Sequence, residues 1–586
     1  MPIDRVLRER VRRCRDRIWD ELLAEMEGGV FWNGELSSSA LSTATAVAAL
    51  ALMDRNAHAS QIARGLDWLA ANANGDGGFG DTIRSKSNIS TTFLVRAAVA
   101  IANAEQSHGP VARGCDDWIA DAGGTPAILA KYGSDRTFSV PILMMGALGG
   151  LCEWGDIPRL PFELAALPRS FYAAVRLPVV SYAMPALIAI GQLLHERNPT
   201  PWPNRLLRSA TRKRTLAKLI DLQPSNGGFL EATPLTSFVV MSLAAMDLQG
   251  HQVARRGTDF LTTSQRPDGS WPIDTHLATW VTTLAVNAWG DAARDRLPDP
   301  DATLDWLLAQ QYRAEHPFTG AAPGGWAWTP LPGGVPDADD TAGAVRAICH
   351  LRSERFGESV RRSGLGGLGW LETLRNRDGG IPTFCRGWGT LPFDRSTAEL
   401  TAHAHEAAAT YADRFCGLKI LGQIGTSGAD YLSSTKGHDG WRPLWFGNED
   451  HPDEANPVYG TARVLQSLAA AAKPIGGVAE HIAAIPGRQC GPISTGLIAE
   501  QNDDGGFGAA RGLASTVEES AVVLGAIAGV GEPDAVDATA RWLCDAIDAD
   551  QHHTATPIGL YFANLWYFEK LYPHTFSLAA LNAVLG

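Results

Sequence analysis

Residues 336–341 read Pro-Asp-Ala-Asp-Asp-Thr, which sets Asp337, Asp339 and Asp340 within four positions at the head of an apolar, helix-like run. Carboxylates held so close repel one another, so a fold that keeps them must gain from them. Three uses are open: a cation site, because carboxylate clusters bind Mg²⁺; a helix N-cap in a solvated turn; or an acid whose neighbours disfavour its ionisation, so that it retains a proton. A second stretch of interest is "ELTAHAHEA", with Glu399, His403 and His405. On a helix His405, two residues on, points away from His403. "DDWIAD" at 116–121 imitates a diphosphate-metal motif but stands at a repeat start, and it reads as helix surface.

The elements that must position these residues are repeats. A short helix with an aromatic near its start leads into a polar turn and then a Gly-Gly-aromatic phrase, as in "RGLDWLAANANGDGGFGD" (64–81), "KLIDLQPSNGGFLE" (218–231) and "LIAEQNDDGGFG" (497–508). After each turn a second helix follows that is apolar nearly all round, such as "STATAVAALAL" (42–52), "TAGAVRAI" (341–348) and "TARVLQSLAAA" (461–471). Ser and Thr at these positions are expected to cap the helix start. A helix apolar on every side is buried on every side. Alternating outer and inner helices that close on themselves make an α/α toroid with room for a cavity. The expected fold is therefore all-α, with two (α/α) barrels: residues 25–270, then 271–586.

Bulk properties narrow the classes. A net charge of −13 argues against nucleic acid as the main partner. The basic run 204–219 reads as a solvated helix face. The eight cysteines are scattered without a CxxC pair, as expected of reduced thiols in a cytosolic protein. The N-terminal segment is a charged amphipathic helix without an apolar signal core. The apolar stretches 140–152 and 177–194 are short or broken by proline, so buried helices are expected rather than membrane spans.

Glycine-aromatic helical repeats combined with "DADDTA" resemble the squalene–hopene cyclase family of class II terpene cyclases over about residues 28–573. The resemblance implies two α-barrels with a cavity between them, and an N-terminal helix, here 1–24, that packs on the second, catalytic barrel. Residue by residue, it implies Asp339 as proton donor with Asp337 and Asp340 flanking it, and His403 of "TAH" hydrogen-bonded to the acid. It also implies Glu399 at a family acidic position and Tyr459 of "YGTA" beside the acid pair. Trp328, Trp280, Trp445, Tyr182, Tyr561 and Phe568 would line the substrate cavity. Val281, Tyr182 and Leu565 depart from the family pattern, so the pocket is altered while the initiating residues are kept.

This implied chemistry suits the residues. Protonating a C=C bond needs a neutral carboxylic acid, and a crowded cluster that titrates as a unit can keep one. A protonated His403 would stabilise the carboxylate left behind, and aromatic faces would stabilise the migrating carbocation without quenching it. The expected substrate is squalene or a related linear polyprene. A prenyl diphosphate or prenylated aromatic is the runner-up, held through 204–219 or Arg84 and Lys86. No cofactor and no metal are expected for initiation. Two other toroid classes compete: a zinc prenyltransferase subunit, which needs an Asp-x-Cys absent here, and a protein-binding toroid, which has no use for the acid motif. Peripheral attachment to the inner membrane face and a homodimer complete the expectations.

Overall fold

A computed structural model describes residues 4–133, 135–177, 180–389, 393–415, 419–471, 490–559 and 565–586. The chain is all-α. The strands among these residues are two-residue pairs, such as Ser38–Ser39 antiparallel to Trp271–Pro272.

Helices Ala40–Asp54, Ile89–Ile101, Arg136–Leu148, Val180–Arg197 and Thr233–Ala244 each pack on the next, and the last returns to the first. A second closed ring runs through Ala278–Trp289, Ala338–His350, Ala398–Phe415, Pro457–Ala471, Val517–Ile527 and Tyr572–Leu585. Inner and outer helices differ as their residue patterns require. Ala40–Asp54 is buried at every position from Ala40 to Ala51. The outer helix Ala59–Ala71 buries only the stripe Ile62, Gly65, Leu66, Trp68 and Leu69. The apolar stretches around 140 and 180 are inner helices of the first ring, and no described helix is long and apolar enough to cross a membrane.

The glycine turns carry the joints between repeats. Gly269 has φ +95°, and a Cβ there would stand 2.6 Å from the Arg64 carbonyl oxygen on the neighbouring outer helix. Only glycine tolerates both conditions. The Gln265 amide donates to the carbonyls of Gly269 and Gln61, both at 3.0 Å, so it ties the turn to that helix. Gln311 bridges Gly324 and Ser363 in the same way. The Trp271 indole donates to the Leu261 carbonyl at 2.7 Å and the Trp326 indole to Leu307 at 2.8 Å, each closing the end of its own outer helix.

The Ser and Thr residues do something other than the expected capping. The helices start upstream of them, at Ala278, Ala338 and Pro457. The caps are residues such as Ser39, Asn88 and Asp337. The first-turn hydroxyl instead accepts the backbone N–H of the repeat's aromatic: Thr341 from Trp326 at 2.9 Å, Thr43 from Trp271 at 3.0 Å, Ser520 from Phe507 at 2.9 Å. A turn that enters the barrel wall would otherwise bury an unpaired donor there.

Among the described residues a small cluster of Tyr182, Val335, Phe384 and Cys385 accompanies two large hydrophobic cores. One spans Ala40 to Trp271; the other joins residues 7–32 to Trp280–Leu581. Helix Arg5–Ala24 lays Leu7, Val11, Cys14, Ile18, Trp19 and Leu22 on Tyr572–Leu585 and Pro533–Asp548. The basic run is less solvated than its composition suggests. Arg208 is buried against Glu163 at 3.0 Å, and Lys218 donates to the carbonyls of Ala165 and Leu167. Asp116, in the diphosphate-like run, pairs with Arg96 at 2.7 Å.

Candidate active site

A cavity of about 230 Å³ is walled by residues from both halves of the chain: Leu36, Leu230 and Ile273 from the first, Trp280, Trp328 and Trp445 from the second. The acid motif enters at the head of helix Ala338–His350. The Asp337 backbone N–H donates to the Trp326 carbonyl at 3.0 Å, and that of Ala338 to Thr383 at 2.9 Å, so two repeat turns pin the segment from either side. Asp337 is the N-cap, accepting from the Asp340 N–H at 2.9 Å. The cap reading and the acid reading thus coexist, on different aspartates. Asp339 stands in the first helical turn, where the helix dipole favours a developing carboxylate.

The structure brings His403 to Asp339, with Nδ1 2.6 Å from Oδ1. The His403 ring is buried and meets Trp280 edge-on, 5.8 Å between centroids. His405 faces elsewhere, its Nδ1 3.0 Å from the Ser467 hydroxyl. Glu399 is one helical turn before His403 and accepts the Leu444 N–H at 2.6 Å. Tyr459 stacks on Phe446 at 4.4 Å behind the cavity wall, and the Asp339 and Glu399 charges act on its phenol.

The electrostatics differ from expectation in two respects. Burial, more than crowding, raises the flanking acids: Asp337 is pushed up to about 7 by desolvation, with the Asp339 charge a lesser cause. Asp340 lies well above the carboxylate range, first through burial and then through Asp337. Glu399 is likewise lifted to about 7 by burial. His403 is held below its ordinary value by burial, which Arg463 and Arg346 reinforce against the pull of Asp339. Burial thus works against the imidazolium expected of this ring.

Among the aromatic candidates, Trp280, Trp328 and Trp445 line the cavity. The Trp280 indole donates to the Tyr572 hydroxyl at 3.1 Å, and the Trp445 indole to Thr383 at 3.3 Å. Tyr182 sits one layer back, its ring 5.0 Å from Phe384, which does line the wall. Tyr561 lies outside the described residues. Phe568 is turned away beneath the Arg84 guanidinium at 4.5 Å; Leu565 and Tyr567 reach the cavity in its place. The segment is extended, so alternate residues face opposite sides, and the residue numbered one earlier is the one that counts.

Sequence reasoning missed Asp274, Tyr567, Tyr572 and Arg463. Asp274 is a further wall carboxyl, raised well above its ordinary value by burial and by Glu231. It follows the aromatic of its repeat by three positions, as Glu231 follows Phe229 by two. An acid trailing the repeat aromatic was the available signal. For Arg463 and the two tyrosines no local signal existed.

A carboxylic acid hydrogen-bonded to a histidine and opening on aromatic faces has the parts needed to deliver a proton to a nonpolar acceptor and to stabilise the resulting cation. Comparison with known proteins agrees with this geometry. Residues 16–210 match the family model described as "Squalene-hopene cyclase N-terminal domain", and residues 277–582 match "Squalene-hopene cyclase C-terminal domain". The chain is similar to the squalene–hopene cyclase of Alicyclobacillus acidocaldarius, 25% identical over 294 residues that cover 45% of this chain and 43% of that protein. It is also similar to the enfumafungin synthase of Hormonema carpetanum, 23% identical over 612 residues, 87% of this chain and 44% of the relative. The chain thus spans under half the length of these two curated relatives. In fold it resembles the ent-copalyl diphosphate synthase of Streptomyces platensis, with TM-score 0.56, 18% identity and 99% of each chain covered.

Proposed function

The chain belongs to the squalene–hopene cyclase family, and from that premise we propose that it is a class II cyclase that protonates a terminal alkene of a linear polyprene and folds the cation into rings. The observation that carries this reading is the Asp339–His403 pair, 2.6 Å apart, at a cavity walled by Trp280, Trp328, Trp445 and Phe384.

Asp339 gives its proton to the alkene. The neutral His403 donates its Nδ1–H to Oδ1, which leaves the second oxygen to carry the proton and fixes its aim. As the proton leaves, that hydrogen bond becomes one to a full carboxylate and strengthens, which is stabilisation specific to the transition state. Burial, reinforced by Arg463 and Arg346, disfavours a proton on His403. The protonated state of Asp340 spares Asp339 a second adjacent charge. Tyr459 and Glu399 complete the polar surround behind the acid. The cation then moves along faces of Trp280, Trp328, Trp445 and Phe384, each worth roughly 0.5–2 kcal/mol where water is excluded.

Squalene or a related polyprene, giving a polycyclic triterpene, is the first substrate. The wall supports it: the ionisable groups on the cavity surface are Asp274, Asp337, Asp339, Asp340 and two tyrosines, a set that offers no cation to a diphosphate. A prenyl diphosphate is the second reading, supported by the full-length fold likeness to a diterpene cyclase. The cations considered for it are engaged: Lys86 pairs with Asp450 at 2.6 Å, and Arg84 covers Phe568. In this reading the chain divides into domains 25–270 and 271–586, a boundary close to the change of core after Trp271, although Trp32 and Met26 pack with the second core. Exposed Phe171, Val175 and Trp388, gathered by the Trp388 indole donating to the Val175 carbonyl at 3.0 Å, form the surface through which an apolar substrate is taken from a membrane face.

Incubating purified protein with squalene, farnesyl diphosphate and geranylgeranyl diphosphate, with products read by mass spectrometry, tests the reading. Cyclised squalene that vanishes in Asp339→Asn is expected. Conversion of the diphosphates alone overturns the substrate choice, and turnover that survives Asp339→Asn overturns the mechanism.

A further inference from the structure

Outside the cavity lining, four side chains from three distant parts of the chain converge. Glu21 comes from the N-terminal helix Arg5–Ala24, His552 and His553 from the turn Gln551–His553, and His574 from the first turns of Tyr572–Leu585. One donor atom from each lies within 4.8 Å of all the others. Glu21 Oε2 is 2.8 Å from His552 Nε2 and 3.3 Å from His574 Nε2, and Oε1 is 3.7 Å from His553 Nε2. The imidazole centroids are 4.1, 5.1 and 5.5 Å apart. His552 and His574 are buried; His553 is half exposed.

We propose that Glu21, His552, His553 and His574 form a structural site for a divalent transition metal, Zn²⁺ first among them, which clamps the N-terminal helix to the catalytic barrel. Three lines of geometry and chemistry support it. Tetrahedral zinc, with Zn–N and Zn–O near 2.0–2.2 Å, places its donors about 3.4 Å apart; from Glu21 Oε2 the His552 and His574 nitrogens stand at 2.8 and 3.3 Å, His553 lies 3.7 Å from the other oxygen, and one donor atom of each residue falls within 4.8 Å of the rest, a set that small side-chain shifts bring to that spacing. An imidazole-rich N₃O set suits zinc and its neighbours, whereas magnesium and calcium prefer oxygen. The carboxylate also has the outer support expected of a ligand: Arg17 Nε donates to Glu21 Oε1 at 2.9 Å, and Arg17 Nη1 is fixed on the Ile547 carbonyl at 2.9 Å.

Four protein donors close the coordination shell, so the metal is structural rather than catalytic. Its mechanical meaning lies two residues away, where Tyr572 lines the cavity and accepts from Trp280. Fixing His574 to Glu21 fixes the start of the helix that carries Tyr572. This zinc uses no cysteine, which distinguishes it from the Asp-x-Cys site of a prenyltransferase subunit.

The test uses the full-length chain without a polyhistidine tag. Elemental analysis after growth with zinc should give about one Zn²⁺ per chain, and His574→Gln, with every cysteine intact, should bring that below about 0.2. Thermal unfolding should fall by roughly 2 °C or more on chelation and recover when zinc is returned, with both responses missing in His574→Gln. Cobalt substitution in the wild type should give the intense visible bands of a tetrahedral ion. Should His574→Gln fail to fold, the half-exposed His553→Ala takes its place, and the cobalt spectrum needs no variant at all. A wild-type protein that holds no metal, shows no midpoint change with zinc or chelator and gives no tetrahedral cobalt spectrum overturns the site, as does unchanged zinc content in the variants. None of these readouts depends on cyclase turnover, so they stand apart from the proposed function.

Discussion

Replacing His403 by alanine isolates the step by which the acid gives up its proton. In the ground state the ring donates to a neutral carboxyl, a bond worth about 0.5–1.5 kcal/mol; after transfer it donates to a carboxylate, worth about 1.5–3 kcal/mol. The contact is short at 2.6 Å and its histidine is buried, so water offers no ready substitute. The difference, about 1–2 kcal/mol, is felt only as charge develops, and at 1.36 kcal/mol per decade it lowers kcat by about 5- to 30-fold. KM should stay within about twofold, because the ring lies behind Asp339 rather than against the chain of the substrate. The assay is product formation at saturating and limiting substrate, run well below the melting point of the variant, with unfolding followed by circular dichroism. His403→Asn, which retains a short donor, should recover part of the loss. A variant with unchanged kcat would refute the argument. So would a raised KM with kcat intact, which would put His403 in substrate binding instead.

Other outcomes follow from the same geometry. Asp339→Asn should lower turnover by at least about 100-fold without loss of fold, since no other wall carboxyl shares the His403 hydrogen bond; residual turnover within tenfold of wild type, measured by product mass spectrometry, would place the donor elsewhere. Trp445→Ala removes one cation-stabilising face and should enrich products with fewer rings, read as a changed product ratio at similar substrate consumption. Stability should fall as pH rises from about 6.5 to 8.5. Asp337 and Glu399 near 7 and Glu569 near 8 stand above their unfolded values, so the stability they contribute is present at low pH and is lost as pH passes those folded values. The window starts at about 6.5 because buried His316 and His405, lowered to about 4, act with the opposite sign below the unfolded histidine value. Denaturant midpoints should show a loss of roughly 1–3 kcal/mol across it, and a flat or rising profile would contradict the burial of these carboxyls.

Much of the architecture was legible in the chain because its determinants are local and repeated. A glycine turn, an aromatic and an all-apolar helix recur at short spacing, and each states its own burial; the all-α fold follows from that pattern alone. The acid motif was legible for the same reason, with its cap, its acid and its Thr341 anchor lying within one turn of helix. The start of each inner helix was misplaced because a Ser or Thr that serves a neighbouring repeat looks, in sequence, like one that serves its own backbone. Tertiary structure alone decided the rest. Whether Tyr567 or Phe568 faces the cavity depends on the phase of an extended segment, which is set where Ser37 and Glu35 pair with it. The charge on His403 depends on burial and on two arginines, one of them sixty residues further along the chain. Glu21 and His574 stand at opposite ends of the sequence, and only closure of the helical ring brings their side chains to 3.3 Å. The chain itself specified the groups able to move a proton and to face a cation. Which of them meet, and in which protonation state, was decided by desolvation and by contacts that no local spacing encodes.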